Sequence, residues 1–149
     1  MRRHRKGERG AELLELTIAL PILLLSFAAI VDFAFMFQRL VVLQNAAREG
    51  ARIAVLPGYF NPSGTNDVVR ARVRDYVQAG CGYIIDLGDA STGTITVAAD
   101  ATLSPIEAVR VEVTAPYVFT FLSPIVAMFQ GGSFAGITLR AGSSMRSET

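Results

Sequence analysis

The sequence predicts an α+β fold in which a long N-terminal helix, apolar over its first half, continues into a small domain with a short second helix and an antiparallel sheet. Three observations lead there. Residues Leu16 to Gln38 read LTIALPILLLSFAAIVDFAFMFQ, interrupted only by Thr17, Ser26, Asp32 and the terminal Gln38. A helical pattern then continues without a break to a Pro57-Gly58 stop. Beyond it come one amphipathic helical stretch and three β-rich stretches separated by turn residues.

The chain of 149 residues is one domain's worth, and 51% of it is apolar. The charge is unevenly placed. Arg2, Arg3, Arg5, Lys6 and Arg9 against Glu8 make the first ten residues net +4, which leaves −3 for the rest of a chain whose total is +1. No broad basic surface lies beyond this arm, so nucleic acid is not an expected partner. A basic arm before an apolar run is a membrane-topology signal that keeps the N-terminus inside. At 1.5 Å per residue, residues 16–38 would make a helix of about 34 Å, enough to cross a hydrocarbon core of about 30 Å with some tilt.

Within that run, Pro21 removes one backbone hydrogen bond and predicts a mild kink or a packing role in an assembly. Asp32 lies in the outer half, where a charge costs about 2.5–3.5 kcal/mol on insertion scales. Protonation, a reach toward the outer interface, and pairing with Arg39 or with an arginine of a neighbouring subunit are the open ways to meet that cost.

Residues 39–58, RLVVLQNAAREGARIAVLPG, fit a helix emerging into water, with Arg39, Gln44, Asn45, Arg48, Glu49 and Arg52 as its polar positions. Ala46, Gly50 and Ala54 recur every four residues, flanked by Ala47 and Ala51. This small stripe permits close approach, either of the chain's own sheet or of another helix. Gly50 costs about 1 kcal/mol of helix propensity against alanine, so packing is expected to compensate. One helix is therefore expected over residues 11–56, roughly 69 Å long.

The segment PGYFNPSGTND is a turn-rich loop that leads to the second helix, which Asn66 or Asp67 can cap. Val69, Val73 and Val77 share one face with Tyr76, and Arg70, Arg72 and Arg74 take the solvated faces. Strands are expected at Thr94–Asp100, Ala108–Pro116 and Phe134–Arg146. The middle one alternates Val109, Val111 and Val113 with Arg110, Glu112 and Thr114, the pattern of a half-buried strand. Tyr117 to Phe129, YVFTFLSPIVAMF, is apolar, too short to span and broken by proline; a core segment and one resting on the membrane interface are both open.

Cys81 is the only cysteine and His4 the only histidine. An internal disulfide is excluded, a His/Cys zinc site has too few ligands, and the thiol is either buried or merely tolerated, or else forms an intermolecular bridge. GxSxG, HExxH and a phosphate-binding glycine loop are all absent, so no enzyme and no cofactor is expected.

The stretch GAELLEL resembles the processing site of type IV pilin-like proteins: a basic leader ending in Gly10, a glutamate five residues later, then an apolar helix. The longer ERGAELLELTIALPILLLSFAAIVDFAFMFQRLVVLQNAAREGAR resembles the TadE-like family, minor pseudopilins of the tight-adherence (Tad) pilus system, and ITLRAGSSMRSE is similar to their closing strand. The resemblance implies a pilin-like domain and cleavage between Gly10 and Ala11 by a membrane prepilin peptidase. It also implies assembly with other Tad pilins or pseudopilins and an inner-membrane platform. Residues 1–10 would be the cytoplasmic leader, 11–56 the long helix with 16–38 in the bilayer, and 57–149 an extracytoplasmic domain at the bacterial cytoplasmic membrane. Glu15 would neutralise the new α-amino group of Ala11 on a neighbouring subunit or guide docking, and Asp32 would serve recognition within the assembly. Glu12 has no assigned role beyond a carboxylate at the headgroups or helix start. Two other readings stand beside this one. The first is an uncleaved single-pass membrane-anchored adaptor or binding module of the cell envelope. The second is a secreted domain released after Ser26-Phe27-Ala28.

Overall fold

The computed structural model describes residues 5–61, 64–81, 87, 93–100, 108–130 and 136–146, with the side chains of residues 5–9, 81, 126 and 128–130 left aside. Six elements follow in chain order. They are α1 (Arg5–Ala54), α2 (Asp67–Cys81), β1 (Thr94–Ala99), β2 (Ala108–Tyr117), α3 (Leu122–Gln130) and β3 (Ile137–Arg146). The fold is α+β, as the sequence predicts. Helix α1 starts within the basic arm and ends two residues before the expected position, where Val55–Tyr59 form turns and Gly58 takes φ +85°.

The chain forms two compact units, whose division does not coincide with a boundary at residue 57. Residues 1–35 group with 118–135, and residues 36–117 group with 136–149.

In the second unit the sheet is antiparallel in the order β1-β2-β3. The alternation of β2 sends Val109, Val111, Val113, Ala115 and Tyr117 to the buried face. In register with them stand Ile95 opposite Val113 on β1, and Ala141 opposite Val113 and Leu139 opposite Ala115 on β3. On the other face Glu112 has Arg110 at 3.8 Å and Arg140 at 4.0 Å, which leaves that side to water. Among the described residues β1 pairs with β2 only as far as Thr114, so no described β1 partner calls for an N–H at Pro116. Buried Asp100 prolongs β1 by donating its N–H to the Ala108 carbonyl at 2.9 Å, and its carboxylate receives the Ser144 hydroxyl of β3.

Val69, Val73 and Val77 of α2 are fully buried, in keeping with their spacing, whereas Tyr76 is partly exposed. Asn66 departs from its expected cap. It stands in the left-handed region at φ 52°, which asparagine tolerates, and its carboxamide serves the preceding loop. It accepts the Asn61 N–H at 2.8 Å and donates to the Asn61 and Gly64 carbonyls at 3.1 and 3.3 Å. Asp67 opens the helix with its charge in the first turn and receives the Thr65 hydroxyl at 2.7 Å. Residues 134 and 135 of the expected last strand and the Ser104–Glu107 turn lie outside the described residues.

The expected single segment from Tyr117 to Phe129 is split. Tyr117 ends β2 with its ring buried, beneath the Arg39 guanidinium carbon 4.9 Å from its centroid, a cation–π arrangement. Residues 118–135 belong to the first unit, and Val118 to Phe121 lead into α3.

Candidate functional site

Gly10 and Ala11 are helical and exposed. A Cβ built at Gly10 would meet nothing within 4 Å, so packing does not require glycine there. Glu12 and Glu15 are exposed, as are Leu13, Leu14, Leu16 and Ile18 around them. The apolar character persists down the helix while burial does not. In the most apolar 18-residue window only 6% is buried within the chain, which is unlike the core helix of a globular domain. The two hydroxyls of this stretch are satisfied along the helix itself. Thr17 donates to the Leu13 carbonyl at 2.7 Å and Ser26 to the Ile22 carbonyl at 2.9 Å. Such a helix presents almost no unsatisfied polar group sideways, as a lipid or apolar protein environment demands.

Asp32 departs most from this exposure, with 0% of its surface accessible. Its carboxylate accepts the backbone N–H groups of Thr120 at 3.0 Å, Phe121 at 2.9 and 3.2 Å, and Leu122 at 2.7 Å. These are the donors at the entry to α3, where a helix leaves N–H groups without partners and carries a positive partial charge. The residue two places further on, Pro124, has no N–H to satisfy. One turn of chain is thus closed by an acidic side chain some 90 positions earlier. Beside it the rings of Phe33 and Phe119 meet edge to face, 5.9 Å between centroids and inclined by 70°.

In the second unit the small stripe lies against the chain's own elements. Ala46, Ala47 and Ala51 are fully buried, and Ala54 is 1% exposed. A Cβ on Gly50 would lie 2.5 Å from Val73 Cγ2 and 3.2 Å from Val111 Cγ1. Glycine is therefore required at this crossing of α1 with α2 and the sheet, and the propensity loss is offset by close packing. Gly80 of α2 is similarly tight, its Cβ position 2.7 Å from Val42 Cγ1.

Glu49, next to Gly50, receives Arg52 at 2.9 and 3.0 Å and Arg72 at 3.2 Å. Arg72 is thus an ion-pair partner and not simply a solvated residue. Hydrogen bonding from Arg52 chiefly, opposed by desolvation and reinforced by Arg72, holds the Glu49 carboxyl below its ordinary range. Cys81 is the last residue of α2, and its side chain lies outside the described residues, as does His4. Among the described residues, no group of three or more His, Cys, Asp or Glu is placed to hold a metal ion.

The fold and these features define a chain whose exposed N-terminal helix is long and apolar enough to cross a membrane and which carries an α+β domain. Residues 10–52 match the family model of the TadE-like proteins, so this N-terminal segment is similar to that family. The match begins at Gly10 and includes Glu15, Asp32, Glu49 and Gly50. Neither a curated protein nor a solved structure matches the chain.

Proposed function

We propose that the protein is a minor pseudopilin of a Tad-type pilus, a structural subunit without catalytic activity of its own that primes or caps the pilus. A prepilin peptidase cleaves it between Gly10 and Ala11, and it packs with other subunits through its N-terminal helix. The carrying observation is the TadE-like match over 10–52, on a helix whose apolar surface from Leu13 to Phe35 has almost no cover within the chain.

The placement of residues supports each part. Gly10 is not required by packing, so its presence agrees with recognition by a peptidase before the apolar run. Glu15 is exposed in an apolar surrounding, and an α-amino group from a cleaved neighbour would give it a counter-charge; two opposite charges entering low dielectric offset each other only as a pair. The basic arm supports a leader retained on the cytoplasmic side, with the sheet and α2 outside. Asp32 already has a partner in its own chain, the backbone at the entry to α3, so any part it takes in assembly is indirect, through the order of that segment.

The test is co-purification from detergent-solubilised membranes of cells that carry a Tad system. The wild-type chain should bring down pilin subunits. Glu15→Ala should insert normally but recover fewer of them. Recovery of no pilin subunit with the wild type contradicts the function, and unchanged recovery with Glu15→Ala removes the role of Glu15.

A further inference from the structure

Phe119 packs on Phe33, but other apolar side chains of the segment that leads into α3 are exposed among the described residues. Val118 is 60% exposed and Phe121 46% exposed, and Pro124 is exposed between them and the rest of α3. The sequence around them carries no charged residue from Val113 to Leu139, between Glu112 and Arg140. A surface bathed in water is ordinarily rich in charge. The burial of Asp32 within an apolar run is the second, independent oddity, since a carboxylate is costly there unless it is hydrogen-bonded.

Depth connects the two. Asp32 lies six residues inside the apolar stretch that ends at Gln38, about 9 Å by helical rise. Its carboxylate is within hydrogen-bond distance of the backbone of Thr120, Phe121 and Leu122. If α1 spans the bilayer, these three peptide groups lie at the level of residue 32, below the outer end of the span. Irregular backbone at such a depth is tolerated only where its polar groups are satisfied by protein.

We infer that residues 118–130 form a membrane-embedded foot, a return of the chain into the outer leaflet whose exposed apolar side chains contact lipid and whose helix start is closed by Asp32. The occupant of this surface is the acyl and interfacial region of the bilayer. Continuity with the exposed apolar face of α1 in the same compact unit favours lipid, as does the absence of charge from the whole segment. Two liabilities cancel in this arrangement: a carboxylate in an apolar run and an open helix N-terminus at membrane depth. The inference rests on α1 spanning the membrane, and its test separates the two.

Single cysteines would be placed at Val118, Phe121, Phe27 and Thr96 in a Cys81→Ser chain, spin-labelled and reconstituted in vesicles of phosphatidylethanolamine and phosphatidylglycerol. All four side chains are exposed, so labels at these sites leave the packing intact. Collisions with oxygen report lipid, and collisions with a water-soluble nickel chelate report the aqueous phase. The inference expects labels at Val118 and Phe121 to lose nickel accessibility and gain oxygen accessibility as Phe27 does, while Thr96 remains open to nickel. Nickel access at Val118 and Phe121 with Phe27 in lipid overturns the foot and leaves the span standing. Protection of Val118 and Phe121 from both reagents means a protein cover and also overturns it. Nickel access at Phe27 removes the span, and the foot with it.

Discussion

The Asp32 carboxylate accepts the Leu122 N–H at 2.7 Å across 90 positions of sequence, and this bond ties the apolar part of α1 to the start of α3. Together with the bonds from Thr120 and Phe121, it makes a side chain of one helix the cap of another. Capping residues normally stand next to the helix they serve. Here the acceptor comes from elsewhere, and its charge complements the dipole of α3.

Replacement of Asp32 should therefore be felt at α3 first. Asp32→Ala takes the acceptor from N–H groups that are only part-buried, so the cost is at most about 1–3 kcal/mol each, and Asp32→Asn retains an acceptor oxygen and should lose less. Amide hydrogen exchange of the full chain in detergent checks this: Thr120, Phe121 and Leu122 should exchange faster in Asp32→Ala, while the amides of β2 keep their protection. Unchanged exchange at the three amides would contradict the capping role.

Gly50 tests the packing of the other unit. Gly50→Ala gains about 1 kcal/mol of helix propensity, but its methyl would meet Val73 Cγ2 at 2.5 Å, and overpacking of this kind costs about 1–3 kcal/mol. The net expectation is destabilisation. In the Gly50→Ala, Val73→Ala double variant the clash is relieved, so the two changes should couple favourably in thermal unfolding. Additive losses would show that Val73 does not limit the approach.

The Glu49 ion pairs predict a pH dependence of definite sign. The folded carboxyl titrates below its usual 4.5 because Arg52 and then Arg72 stabilise the charged form. Its contribution is therefore present above about pH 4.5 and is lost as the pH falls through the lower folded value. Partly exposed pairs of this kind contribute less than about 1 kcal/mol. The difference in melting temperature between the wild type and Glu49→Gln should thus be small, steady near neutrality, and vanish in acid. A difference that widens on acidification would contradict the assignment.

Much of this architecture is legible in the sequence because it is written in local patterns. The valines of α2 at intervals of four, the alternation of β2 and the 23-residue apolar run each declare an element and its buried or apolar face. Gly50 within a stripe of alanines declares a close approach, although either the chain's own sheet or another helix would satisfy the pattern. The partner of Asp32 is illegible for a physical reason. It is backbone, which has the same donors whatever the side chains, and it lies in a segment whose apolar composition suits a core or a membrane interface equally. Pro124 in the first turn of α3 is the one local signal of a helix start there, since proline is best tolerated where N–H groups are unpaired. Arg39 over Tyr117 is similarly silent, because neither residue carries a spacing that names the other.

The mass of the N-terminus of the protein extracted from membranes of Tad-bearing cells tests the central claim most directly. A processed pseudopilin begins at Ala11, four residues before Glu15, and has lost the basic arm. A chain that retains Met1 would contradict processing and leave an uncleaved anchor.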